Sequence, residues 1–436
     1  MPRDRILAGI DVGTSKVTTT ITSRNEEGVL RVMGVASTSS KGIRKGQVVD
    51  IEEATQSVVE SIEAAERMAG YSVSEAFVSI GGIHVSSQNS HGIVAVAEPE
   101  KEITIHDVDR VVDAAKAVSL PSSREIIHVL PRGFTVDGQE GIKDPVGMTG
   151  VRLEVDTHLI TVGVTARRNL EKCITEVGVD VLGFVFGGLA SSEAVLTETE
   201  KELGVILIDI GAGTTDICTY VEGALSYSSV LPIGAKNITN DIAIGLRVSL
   251  ESAEKIKLFL SKKIKKPTLP IESDKKEENR KTTSDEIDFS SLQLPEDIKN
   301  IPKRTLIDGI IKPRLNEIFT MIGLEIKRSG FVGLTPAGIV ITGGGAETIN
   351  ITEAAKRNLA MPVRLGLPGE KITGLIDEIL SPAFATSIGL LLYGSKFETI
   401  SQTSSFSFKG LTKMVQKVPL KGVAGKFVDL FKSFLP

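Results

Sequence analysis

The sequence predicts an α/β protein of two similar lobes, with a small α+β subdomain inserted in the first lobe and an amphipathic helix at the C-terminal end. Three observations carry this. Strand and helix signals alternate along most of the chain, and a strand–Asp–Gly hairpin pattern at Asp11 returns at Asp209, 198 residues on. Val205–Ile210 is a continuous apolar run, which suits a strand buried on both faces. At 436 residues, 41 % hydrophobic and 24 % charged, the chain has ordinary globular composition for about three domains.

In order along the chain, Ile6–Val12 and Lys16–Thr22 are β-branched runs around Gly13, a hairpin signature. Asp50-Ile51-Glu52-Glu53 has the form of a capping box. It precedes apolar positions at Ala54, Val58, Ile62, Ala65 and Ala69, and Gly70 stops the helix. Residues 84–162 change texture: all five His, a helical stretch near Asp107–Ala117, a glycine-dense Gly133–Gly150 and an alternating Val151–Val155 mark an inserted subdomain. The flanking 1–83 and 163–195 then form the first-lobe core.

Residues 196–236 and 336–395 read as the second-lobe core and 237–335 as its outer subdomain. Within the latter, 261–303 reads as a charged loop, because Lys, Arg, Asp and Glu crowd 262–281. Thr305–Ser329 has a long helical pattern in which Pro313 marks a kink or a start. Residues 396–420 read as a polar linker.

Composition excludes several classes. Two cysteines, Cys173 and Cys218, are too few and too far apart for a disulfide framework or a thiolate metal site. His84, His91, His106, His128 and His158 lack ligand spacing. Asp11 interrupts the only early apolar run and no stretch is long enough to span a bilayer, so a cytosolic chain is expected. Charge is uneven: Lys409, Lys413, Lys417, Lys421, Lys426 and Lys432 stand against Asp429 alone, a net +5 on a chain totalling −5. An acidic body argues against a nucleic-acid partner, whereas a basic end attracts an anionic surface.

Each hairpin is strand, Asp, glycine turn, hydroxyl, strand. Such turns converge backbone N–H groups on an anion. A carboxylate beside a polyphosphate makes sense when a divalent cation lies between them, so Asp11 and Asp209 are expected to hold Mg²⁺, through water. Gly338-Ile339-Val340-Ile341-Thr342-Gly343-Gly344-Gly345-Ala346 is a strand ending in three glycines, where a nucleoside can approach the backbone. A diglycine is also an ordinary turn, and one hairpin alone is also ordinary structure; the three in this order are the signal. No Walker loop is spelled, since Gly425-Lys426 runs into Phe427, and Gly211-x-Gly213-x-x-Asp216 lacks the third small residue of a dinucleotide fingerprint.

These motifs resemble the phosphate-1, phosphate-2 and adenosine signatures of the actin, Hsp70 and sugar-kinase superfamily. Asp137-Gly138-Gln139-Glu140-Gly141-Ile142-Lys143-Asp144-Pro145-Val146-Gly147-Met148-Thr149-Gly150-Val151-Arg152 and Gly188-Leu189-Ala190-Ser191-Ser192-Glu193-Ala194-Val195-Leu196 narrow this to a resemblance to the bacterial actin-like cell-division proteins. The resemblance covers about residues 4–260 and 305–436. It implies an actin-like ATPase fold binding ATP and Mg²⁺, with Asp11, Gly13, Thr14, Ser15 and Lys16 on phosphate or metal in one lobe and Asp209, Gly211, Gly213, Thr214 and Thr215 in the other. It implies Glu254 and Lys257 beside the adenosine with Gly343, Gly344 and Gly345, although the same i, i+3 spacing suits a surface charge pair. Glu193 takes the position of a water-orienting residue, or is a solvated helix residue; at most a slow ATPase follows.

The resemblance also implies self-association into filaments and a tubulin-like division GTPase as partner, bound through its C-terminal peptide. It places the chain peripherally on the cytoplasmic face of the membrane at the division site. The charged stretch at 261–303 departs from the family where that peptide is implied to dock. An adaptor of a pilus or secretion machine and a small-molecule kinase are the rival readings.

In 421–436, Val423, Phe427, Leu430, Phe431 and Phe434 share one helical face, with Lys426 and Lys432 among the polar residues. At ~0.8 kcal/mol per buried CH₂ and about 1 kcal/mol per basic residue near an anionic leaflet, such a helix can tether a protein reversibly. Docking back on the body is the alternative; the long polar connection before it favours the membrane.

Overall fold

A computed structural model of the chain describes residues 5–25, 28–96, 102–264, 286–296, 300–369, 372–374 and 379–403. The amphipathic pattern at 421–436 lies outside them, as does most of the charged and linker stretches. The chain divides into two units, Met1–Tyr393 and Gly394–Pro436.

The first lobe opens with β1 (Arg5–Val12), β2 (Lys16–Arg24) and β3 (Leu30–Ser39), followed by a small hairpin of β4 (Ile43–Arg44) and β5 (Gln47–Val48), α1 (Ile51–Ala69) and β6 (Glu75–Ile80). Asp50 caps α1 by accepting from the Glu53 N–H at 3.0 Å, and Gly70 ends it at φ 66°, a left-handed conformation that glycine adopts without a Cβ penalty. The inserted region comprises β7 (Ser86–Ala95), α2 (Ile105–Lys116), β8 (Arg124–Val136), β9 (Gln139–Ile142) and β10 (Arg152–Gly163). Its sheet runs β7-β10-β8-β9 around a separate small core that includes Val111, Phe134, Leu153 and Val155.

The first lobe resumes with α3 (Val164–Thr175) and β11 (Asp180–Phe186). The chain then crosses over through α4 (Gly187–Val195) and α5 (Glu198–Leu203). The second lobe is built from β12 (Val205–Ile210), β13 (Thr215–Val221), β14 (Ala224–Leu231), α6 (Ala235–Leu246), α7 (Leu250–Ile264), β15 (Glu286–Asp288), β16 (Asn300–Pro302), α8 (Lys312–Ser329), β17 (Ile339–Thr342), α9 (Ile351–Leu359) and β18 (Val363–Leu365). A three-residue β19 (Ile372–Gly374) returns to the first sheet, and α10 (Ala385–Thr403) closes the described chain.

The two large sheets repeat one plan. The first is ordered β11-β6-β1-β2-β3-β19 and the second β14-β13-β12-β17-β18. In each, an antiparallel three-strand meander is extended by parallel strands on the side of its first member. The repeat read from Asp11 and Asp209 is therefore a repeat of topology.

Three local findings refine the reading from sequence. Pro313 sits at the junction where the π-helix Arg304–Ile311 passes without a break into α8, so its missing N–H falls where the helical hydrogen-bond register changes. Inside 261–303, β15 pairs with β16, and Ile287, Phe289 and Ile301 are buried in the second-lobe core, so the C-terminal part of that stretch is folded. The apolar residues there, outweighed by charge in the composition, are what fold it. Finally, α10 continues through Thr403, into the segment read as linker from residue 396. Ser and Thr lower helix propensity only by tenths of a kcal/mol, and no Gly or Pro intervenes between Lys396 and Thr403. Among the described residues, no helix is long and apolar enough to cross a membrane.

Candidate functional site

Both hairpins turn the same way. Gly13 N–H donates to the Lys16 carbonyl at 3.0 Å, and Gly211 N–H to the Thr214 carbonyl at 2.9 Å. They open on one cleft of about 630 Å³. Asp11, Gly13, Thr14, Ser15 and Lys16 line it from the first lobe, Asp209, Gly211 and Thr214 from the second, and Glu254, Lys257, Gly343, Gly344 and Gly345 from further along the chain.

Two of the residues expected there do something else. Gly213 supplies proximity: a Cβ on it would lie 2.9 Å from Thr14 Cγ2, so the hairpins touch only because that side chain is absent. Thr215 is buried and donates its hydroxyl to the Ile233 carbonyl at 2.8 Å. Glu193 is also elsewhere. It pairs with the buried Lys201 at 3.1 Å and does not line the cleft. The reason is helical phase. Ser191 of α4 donates to Asp209, and two residues on is about 200° around the helix. A water-orienting role does not follow from that position.

The glycine strand end packs on the second hairpin. Asp209 pairs in register with Thr342, and a Cβ on Gly343, at φ 84°, would meet Asp209 Oδ1 at 2.1 Å. Gly344, by contrast, has only Ala383 within reach, at 3.9 Å, and leaves backbone open to the cleft. Lys257 Nζ holds Glu254 at 2.8 Å, and Thr239 donates to the same carboxylate. Leu250 and Leu258 line the cleft beside this pair and give it an apolar side.

The electrostatics centre on three carboxyls, Asp11 half-buried and Asp209 and Asp216 buried. Asp11 accepts from the Ser79 hydroxyl at 2.8 Å; burial raises its pKa against that bond and the Lys16 charge. Asp209 accepts from Ser191 and, at 3.2 Å, from Thr386; burial lifts it to about 6, with the Asp11 charge adding to the rise. Asp216, which sequence analysis left out of the site, lines the same cleft and has no hydrogen-bond partner for Oδ1. Burial raises it well above the carboxylate range, and the charges of Asp209 and Asp11 push the same way. The Lys16 ammonium lies 3.8 Å over the Phe384 ring; burial lowers its pKa, while Asp11 and Glu347 hold it up.

Buried like charges with an orphaned oxygen fit a bound cation. Among the described residues, no group of three or more His, Cys, Asp and Glu is placed to ligate a metal directly. A hydrated divalent ion is the species this donor set suits.

The residues missed from sequence fall into two kinds. Ser79, Ser191, Thr386 and Glu347 come from elements remote from the motifs and carry no local signal. Asp216 had one: Thr215 and Asp216 are successive strand residues on opposite faces, so only one of them can face the protein interior behind the hairpin.

Two family models match the chain. "SHS2 domain inserted in FtsA" covers residues 82–161, and "Cell division protein FtsA" covers 206–389. The cell division protein FtsA of Pseudomonas aeruginosa is 38 % identical over 420 residues, 95 % of each chain. That of Borreliella burgdorferi is 37 % identical, over 96 % of this chain and 97 % of its own. Among solved structures, a chain of the PilM–PilN type IV pilus biogenesis complex superposes with a TM-score of 0.62 at 15 % identity, over 89 % of this chain and 98 % of that one, a likeness of fold alone. The architecture is thus an actin-like fold of two lobes with an inserted SHS2 domain. With relatives of this identity along nearly its whole length, the chain belongs to the FtsA family of cell division proteins.

Proposed function

We propose that this chain is a nucleotide-dependent adaptor of the division ring: it holds Mg·ATP between its two hairpins, assembles with itself, and ties the tubulin-like division polymer to the cytoplasmic membrane through residues 421–436. The observation that carries the reading is the meeting of both aspartate hairpins and the Gly343–Gly345 strand end on one cleft.

In this reading, the glycine turns present N–H groups to the phosphates, and Lys16 supplies a positive charge already desolvated on its aromatic neighbour. Glu254 and Lys257 face the nucleoside, and the open backbone at Gly344 leaves room for it. Asp209 and Asp216 would hold a hydrated Mg²⁺, which would supply charge neutralisation beside the phosphates. Binding, more than turnover, is what an adaptor requires. Family membership favours division over the pilus and kinase readings.

The membrane arm rests on the sequence pattern of the C-terminal segment, and assembly would multiply a weak tether by avidity. Pelleting the tubulin-like polymer with anionic liposomes tests it: the polymer should reach the vesicles only when this chain is present. Phe431→Asp should abolish co-sedimentation, and unchanged pelleting would remove the tether from the account.

A further inference from the structure

Besides the exposed Lys143–Glu202 pair at 2.8 Å and the Arg167–Glu125 pair, the inserted domain is fastened by two joints of different kinds. At one, His128 of β8 is buried, and its Nε2 accepts from the Phe186 N–H at 3.0 Å. That leaves the ring proton on Nδ1, 3.4 Å from the Tyr393 hydroxyl. The two rings meet edge to face at 5.7 Å, and Tyr393 meets Phe77 likewise at 6.2 Å. Phe186 immediately precedes α4, whose Ser191 donates to Asp209. Tyr393 lies two turns along α10 from Thr386, which donates to Asp209 as well. Between them, Gly389 is pressed on α4: a Cβ there would lie 1.8 Å from the Ala190 carbonyl. One histidine of the inserted domain thus grips both helices that touch Asp209.

The other joint reaches the second lobe. Ser87 donates to the Ser228 carbonyl at 2.6 Å, and Asn89 Nδ2 to the Ser226 carbonyl at 3.2 Å. Arg132 Nε donates to Ser226 Oγ at 3.1 Å, and His158 bridges Asn89 Oδ1 at 2.7 Å and Ser228 Oγ at 2.9 Å. Strands β7 and β14 are both outermost in their sheets. Side chains cap their facing edges in place of a shared backbone ladder. The latch is made of polar bonds between two separate sheets, with His158, Ser226 and Ser228 buried, whereas the His128 joint lies among aromatic rings.

We propose that the inserted domain is a strut, pinned at His128 to the helices beside the cleft and latched at His158 to the second lobe, and that filling the cleft opens the latch. The inference rests on the nucleotide reading above. Ser191 and Thr386, through which α4 and α10 hold Asp209, both donate to its Oδ2, so a hydrated cation drawn to this carboxylate would change the charge on which both helices are anchored. Strand β14 belongs to the sheet that carries Asp209 and Asp216, with Val230 in register with Asp216. The inserted domain is continuous with the first lobe at both of its ends, so a shift between lobes is borne where it meets the second lobe, chiefly between β7 and β14.

Hydrogen exchange on the full chain, with and without Mg·ATP, tests this. Peptides over 209–216 and 343–347 should exchange more slowly with ligand, while those over 86–91 and 224–229 exchange about fivefold faster or more. In His128→Leu the cleft should keep its protection, while the response at 86–91 shrinks to about twofold or less. Tyr393→Phe, which removes only a hydroxyl, should shrink it in the same direction and serves where His128→Leu does not fold. A protected cleft with unchanged latch strands overturns the strut, as does a full response in the folded variants. An unprotected cleft instead overturns the nucleotide reading, and the strut with it.

Discussion

The first hairpin places Lys16 where the second places Thr214, and Thr18 where the second places Asp216. Each pair stands at the same point of the same turn, since Asp11 faces Thr18 across the ladder as Asp209 faces Asp216. The first jaw therefore carries its own counter-charge, and Thr18 spends its hydroxyl on Ser37 at 2.8 Å. The second brings two buried carboxyls together and leaves one oxygen unpartnered. One backbone plan has been given opposite chemistry: a jaw suited to anions and a jaw suited to a cation.

If that asymmetry is right, the largest effect belongs to the second jaw. Asp209→Ala should weaken Mg·ATP binding by roughly a thousandfold, the scale expected when one member of a desolvated charge pair is removed. Fluorescent-nucleotide titration measures it, and a loss under about tenfold would break the comparison.

Next in size is a pH effect on the metal-free protein. Asp209 is held at about 6 against 3.8 when unperturbed, so the folded state binds its proton more tightly. Stability from this group is full below pH 3.8 and falls as pH rises through about 6, by about 3 kcal/mol. Asp11 and Asp216 are raised too and add the same sign. Chemical denaturation across that window should show the fall, and Asp209→Asn should flatten it.

A smaller change follows from making the first jaw like the second. Lys16→Thr should lower Mg·ATP affinity by about tenfold, near the value of one charge-assisted hydrogen bond. It should also steepen the dependence on Mg²⁺; an unchanged metal dependence would mean that Lys16 does not share the charge balance.

Much of this was legible beforehand. The hairpins declare themselves through glycine between β-branched runs, and α1 through Asp50 and Gly70, because those signals act within a few residues. The inserted region shows as a break in rhythm, but its β7-β10-β8-β9 order does not, since strand order is set by pairings distant in sequence. The same limit hid Ser79, Ser191 and Thr386. Glu193 lies off the cleft because motif position says nothing of helical phase, and the folding of Ile287, Phe289 and Ile301 is hidden by the charges around them. The groups that grip the ligand can be read locally; those that set their charge are brought in by the fold.

Isothermal titration calorimetry of ATP into the full chain, with Mg²⁺ and then with EDTA, bears most directly on a cleft closed by one anion jaw and one cation jaw. The account predicts one nucleotide per chain and an affinity about a hundredfold lower without the metal. Equal affinity with and without Mg²⁺, or no binding heat at all, would contradict it.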